Sequence, residues 1–164
     1  MAKSPDAEVL AVFTGDCLFV GGCGLCIEGS YAEMWTDLSE TLGSLPADTK
    51  LFPAHEYTVK NYQFGVKADP DSAEIKERLA WASETRAKGG VCVPTTVGEE
   101  WKSNIFLRCK GNPELCKAHG AATPAEGFAK LREKKNGGPG AMSWASEANL
   151  KRTPGMVPGK FRKK

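Results

Sequence analysis

The chain has 164 residues, of which 41% are hydrophobic, 26% charged and 9% aromatic, a balance that excludes a disordered polypeptide. It holds two histidines, whereas a hydrolase that builds a two-metal centre from imidazoles draws on about four or more. The net charge of +2 is unevenly spread: residues 150–164 hold six of the 22 basic side chains and no acidic one, leaving 16 basic against 20 acidic in the rest. The body of the protein therefore offers no basic face for nucleic acid.

In chain order, Glu8 to Phe13 predicts a short buried strand, followed by the turn formers Thr14, Gly15 and Asp16. A glycine-dense loop, Gly21-Gly22-Cys23-Gly24, comes next, and Glu28-Gly29-Ser30 leads out of it. Met34, Trp35, Leu38, Leu42 and Leu45 recur at three- and four-residue steps, so Tyr31 to Leu42 is expected as an amphipathic helix capped by Ser30 and stopped by Gly43. Thr49 to Pro53 is a second short strand, and it delivers His55.

Beyond His55 the pattern turns helical. Tyr57 to Val66 predicts one helix and Ser72 to Ala87 another, with Ile75, Leu79 and Ala82 as the buried stripe of the second. Thr96-Val97-Gly98-Glu99 and Thr123-Pro124-Ala125-Glu126 are capping-box patterns; the first opens a turn around Trp101, the second a helix to about Lys135. Trp35, Trp81 and Trp101 are expected in the core, Trp144 on the surface. Two strands alone make a marginal sheet, so the first segment lacks partners.

The end of the chain, with Pro154, Gly155, Pro158 and Gly159 among its cations, predicts a solvated, disordered tail over 137–164; an anionic partner is the alternative. No run of about 18 apolar residues predicts a membrane span. Acid and proline near Met1 do not suit a secretory leader, which points to the cytoplasm and to six reduced cysteines.

Asp16 and His55 each follow a predicted strand, where α/β architectures collect ligands, and both are donors suited to Zn, Fe or Mn. Alone, each is as readily a turn or structural residue. A rival site is Cys23-x-x-Cys26 with Cys116-x-x-His119, which has the ligand types of structural zinc but too long a separation for a standard finger.

The ordered blocks Val12 to Gly24 (VFTGDCLFVGGCG), Glu28-Gly29, His55-Glu56-Tyr57-Thr58, Glu77 to Ala82 (ERLAWA), Pro94-Thr95-Thr96 and Asn104-x-Phe106-x-Arg108 closely resemble the C-terminal half of glyoxalase II, the hydroxyacylglutathione hydrolase. The resemblance covers roughly Val9 to Lys135. It implies an α/β fold: the C-terminal portion of a metallo-β-lactamase αββα sandwich (residues 1–58), then a helical substrate-binding domain (59–136). It implies that Asp16 bridges two metals (Zn, or Fe or Mn), that His55 ligates the second, and that Tyr57 and Lys134 contact a glutathione-type thioester. The family's Thr-His-x-His-x-Asp-His motif is absent, Leu25 and Ile27 stand where the family has a basic and an aromatic residue, and Leu131 stands where it often has arginine. The expectation is a metal-dependent thioester hydrolase that is inactive alone and completed by a separate N-terminal half, its carrier being glutathione or another thiol such as a polyamine-conjugated one. The alternative is a non-catalytic thiol-binding or regulatory module with a basic tail.

Overall fold

In the computed structural model, residues 11–27 and 29–137 are described. Strand β1 (Ala11–Gly15) pairs in parallel with β4 (Lys50–Pro53), with a bulge between Phe13 and Gly15. The strand continues through Thr14 and Gly15, which the turn reading had placed beyond it, because the Ala54 amide donates to the Gly15 carbonyl at 2.9 Å and keeps the two strand ends together. The start of the predicted strand, Glu8 to Leu10, lies outside the described residues, as do the predicted tail beyond Gly137 and, within it, Trp144.

Two features of the sheet had no sequence signal. The glycine-dense loop closes a two-residue hairpin, β2 (Leu18–Phe19) against β3 (Gly22–Cys23). The sheet gains its third strand from β5 (Thr95–Thr96), which lies after the helical pair and runs antiparallel to β4, with Leu51 opposite Thr95. The strand order β1-β4-β5 therefore ties the first segment of the chain to the later one.

The predicted first helix is regular only over α1 (Tyr31–Thr36), with the Ser30 capping box in place. From Asp37 to Leu42 it widens to a π-helical turn, closed by Gly43 N–H donating to the Leu38 carbonyl. That turn brings Leu38 fully into the core, and Trp101 packs on Gly43, its indole N–H donating to the Gly43 carbonyl at 3.1 Å.

Helices α2 (Thr58–Ala68) and α3 (Ala73–Ala87) pack on each other, and Gly65 allows the close approach of Ile75. Ile75 and Ala82 are buried as expected, and Leu79 only partly so. Trp81 departs from the core expectation: it is partly exposed, with the Arg78 guanidinium 3.9 Å from its ring centre. Next come α4 (Val97–Ser103), a 3-10 turn (Leu107–Lys110), α5 (Pro113–Ala118) and α6 (Pro124–Lys135).

The core centres on aromatic rings from distant segments. Phe106 stacks on Phe64 at 6.0 Å and meets Phe128 edge-on at 5.8 Å, and Phe128 also touches Tyr31 and Trp35. Phe128 is placed by α6, whose start is the predicted capping box: Thr123 accepts from Glu126 N–H and Glu126 accepts from Thr123 N–H. Thr123→Ala is expected to cost about 1 kcal/mol in a urea titration, the usual loss of a side-chain cap.

Candidate functional site

Parallel pairing sends β1 and β4 out of the same edge of the sheet, so the residues that follow them meet. The His55 imidazole Nε2 lies 3.5 Å from Asp16 Oδ1, with both side chains more than half exposed. At that exposure the pair contributes little to stability, so the arrangement presents two donors to solvent at small energetic cost. Tyr57 stacks against His55, with ring centres 5.4 Å apart and planes at 28°. Phe19, buried on the hairpin, sets its edge against Tyr57 at 5.2 Å.

The structure thus brings Asp16, His55 and Tyr57 together. It does not bring in Lys134, which stands exposed on α6. Its neighbour Lys135 turns inward: its ammonium bonds to Asn61 Oδ1 and lies over the Phe64 and Phe106 rings. Burial, reinforced by the nearby Arg132 charge, pulls the Lys135 ammonium down to about 8.

A groove of about 520 Å³ borders Asp16, with Leu25, Cys26, Ile27, Glu33 and Asp37 on its walls. Its charged lining is acidic. Leu25 and Ile27 are exposed, whereas Leu131 is fully buried, so that position presents nothing to a ligand.

Side chains from three helices grip the hairpin that leads from Asp16 to this groove. Asn61 on α2 donates to the Val20 carbonyl at 2.9 Å. Glu100 on α4 accepts from Gly21 N–H at 2.9 Å, and Asn104 donates to the Gly22 carbonyl at 3.0 Å and to Glu100 at 2.8 Å. Arg132 on α6, itself buried, donates to the carbonyls of Cys23 at 2.8 Å and Gly24 at 3.4 Å. Burial pushes the Glu100 carboxyl up to about 7 despite its three hydrogen-bond donors. Sequence reasoning missed Phe19, Glu100, Asn61 and Asn104 as parts of the site. A usable signal existed only for Glu100, a carboxylate sharing a helix face with Val97 and Ser103.

All six cysteines are free thiols. The rival zinc residues have other partners: Arg132 reaches the Cys23 sulfur at 3.8 Å, Cys116 donates to the Cys109 carbonyl, and His119 Nε2 donates to the Ala68 carbonyl at 3.0 Å. Among the described residues no group of three or more His, Cys, Asp or Glu side chains is placed to hold a metal ion. Asp16 and His55 have the right donor chemistry for a metal, but two donors do not make a centre.

A mixed α/β chain whose strand-end carboxylate and imidazole meet beside a helical bundle defines the class. Residues 56–138 match the family described as the hydroxyacylglutathione hydrolase C-terminus, and the chain belongs to that family. It is 39% identical over 131 residues to the cytoplasmic hydroxyacylglutathione hydrolase of Arabidopsis thaliana, covering 80% of this chain and 50% of that protein. It is 41% identical to a hydroxyacylglutathione hydrolase-like protein of Gallus gallus, covering 83% of this chain and 48% of the other. It is 42% identical to the hydroxyacylglutathione hydrolase of Rhodopseudomonas palustris, covering 78% and 50%. The chain spans about half the length of these curated relatives. No helix among the described residues is long and apolar enough to cross a membrane.

Proposed function

We propose that this chain forms the thiol-binding half of a cytoplasmic hydroxyacyl-thioester hydrolase, which converts an S-2-hydroxyacyl thiol and water to a 2-hydroxy acid and free thiol. The observation that carries the reading is the meeting of Asp16 and His55 at 3.5 Å from adjacent parallel strands, in a chain of this family. Asp16 and His55 would supply two ligands of a binuclear zinc, iron or manganese site, the remaining donors coming from a separate N-terminal half. Such a centre supplies a hydroxide at neutral pH and a Lewis acid for the thioester carbonyl. Tyr57 would lie along the thiol carrier, with Lys134 as an outer cation for its carboxylate.

Residues 1–58 would then complete an αββα sandwich, and 59–136 form the substrate-binding domain. The sheet supports this: β1 is an edge strand among the described residues, and its Phe13 is 83% exposed while stacked on Phe52 at 5.3 Å. An apolar, unpaired edge is a surface that partners cover. The acidic groove supports a refinement, a carrier thiol less anionic than glutathione or conjugated to a polyamine, because Asp16, Glu33 and Asp37 repel carboxylates.

The test is reconstitution with the N-terminal half of the Arabidopsis relative, assayed on S-lactoylglutathione and on its polyamine-conjugated counterpart. The isolated chain should bind no stoichiometric metal and turn nothing over. The complex should do both, and Asp16→Ala should reduce turnover by roughly a hundredfold or more, the scale of losing a metal-site interaction. Metal-dependent turnover by the isolated chain would refute the division of the site between two halves. Thiol binding by the chain with no turnover in the complex would favour the non-catalytic module.

A further inference from the structure

The hairpin beside the candidate site is tied to itself and gripped from outside. Within it, the Thr14 hydroxyl donates to the Leu18 carbonyl at 2.8 Å, Cys17 N–H to the Thr14 carbonyl at 3.0 Å, and Gly24 N–H to the Cys17 carbonyl at 3.3 Å. Residues 14–24 are thereby one bonded unit that carries Asp16 at one end and Phe19 against Tyr57 in the middle. The grip from the helices falls on its backbone and on the Cys23 sulfur, and within it Glu100 is the acceptor where Asn61, Asn104 and Arg132 are donors.

We infer that Glu100 is a positioning residue for the strand-end site: its buried carboxylate fastens Gly21, and through the bonded unit of residues 14–24 it sets where Asp16 and Phe19 stand relative to His55 and Tyr57. The carboxylate is placed to do this without bonding to the site itself. One oxygen holds both Gly21 N–H and the Asn104 amide, and the other accepts from the Thr95 hydroxyl at 2.8 Å, so β5, α4 and the hairpin meet on one group. The charged or titratable groups that reach it are Arg78 from α3, Tyr62 from α2, and Glu99 on its own helix, which shares the Thr95 hydroxyl. Leu18, Leu38 and Leu51 line its remaining surroundings. In such surroundings a hydrogen bond to an ionised acceptor is stronger than one to a neutral acid. Loss of the charge therefore slackens the hold on Gly21 while leaving the fold's apolar packing in place.

The inference rests on the proposed hydrolase reading only for the purpose of the geometry, and its test needs no turnover. The full chain, labelled with nitrogen-15, is followed by NMR from pH 5 to 8.5. The Gly21 amide resonance should shift in one step with a midpoint near 7, and the step should be absent in Glu100→Gln. At pH 8, Glu100→Gln should also move the Asp16 amide resonance and weaken the Phe19–Tyr57 ring cross-peaks several-fold. Thr123→Ala, which loosens a remote cap, should leave both unchanged, so general destabilisation cannot produce the pattern. A Gly21 amide whose resonance at pH 8 is the same in wild type and in Glu100→Gln would overturn the inference. So would a folded Glu100→Gln that keeps the wild-type Asp16 and Phe19–Tyr57 signals. Should Glu100→Gln not fold, Thr95→Val removes one donor to the same carboxylate without touching the hairpin, and the same two signals at pH 8 decide. Failure of the reconstituted assay, by contrast, bears only on the hydrolase reading.

Discussion

Gly24→Ala is expected to destabilise the protein by about 3 kcal/mol, the upper end of what forced overpacking costs in a closed structure. A Cβ built at this position falls 1.9 Å from the Asp16 carbonyl oxygen, a contact with backbone that no rotamer change relieves. The hairpin must open or the Asp16 peptide must move. Either response strains the hydrogen bond from Gly24 N–H to the Cys17 carbonyl and the Arg132 contacts to Cys23 and Gly24. Gly111 is the matched control: nothing lies within 4 Å of its Cβ position, so Gly111→Ala should change stability by no more than about 0.5 kcal/mol. Urea titrations of the two variants provide the comparison. Equal midpoints would show that the loop is slack and that Asp16 is not held by it. The same geometry explains the local glycine density, since Cβ atoms at Gly21 and Gly22 would lie 2.7 Å from the Tyr62 ring and 2.6 Å from the Asn61 side chain.

The parts of this fold that were legible in the sequence are those whose physical cause is local. Ser30, Thr96 and Thr123 cap the helices they were expected to cap, because a hydroxyl and a glutamate three residues apart satisfy the first turn from within it. Asp16 and His55 were legible as a pair because each ends a strand, and parallel strands end on one side. The features that escaped are set by partners far along the chain. Thr95–Thr96 is a strand only because Lys50 and Leu51 lie opposite. The π-helical turn ends at Gly43, whose carbonyl takes its side-chain partner from Trp101, 58 residues further on. The inward lysine of α6 is of the other kind: Lys135 continues the buried stripe of Phe128, Leu131 and Arg132, while Lys134 is rotated from it by about a quarter turn, and Asn61 supplies the partner.

Between pH 5 and pH 7.5 the protein should lose stability as the pH rises, and Glu100 should account for the slope. Burial raises its carboxyl from the ordinary 4.5 to about 7 in the folded chain. Over that interval the folded state keeps a proton that the unfolded state has released, so raising the pH favours unfolding. The effect begins above the unfolded value, grows through neutrality and is complete once the folded carboxyl has ionised. A shift of this size corresponds to about 3 kcal/mol, or roughly 6–12 °C in melting temperature for a chain of this length. The other shifted carboxylates act elsewhere. Hydrogen bonding holds Glu33 and Glu126 below their ordinary values, as do Lys110 for Glu40 and the first-turn bonds of Glu74, so their stabilisation is lost only as the pH falls below that range. Lys135, pulled down to about 8, has the opposite sign to Glu100, with stability recovered as the pH climbs above that value. Urea titrations at half-unit steps should therefore show stability falling from pH 5 to a minimum between the two groups. In Glu100→Gln, which has no proton to release, the descending limb should flatten while the Lys135 limb remains. A wild-type curve level from pH 5 to 7.5 would mean that the donors from Gly21, Asn104 and Thr95 outweigh burial and keep Glu100 ionised throughout.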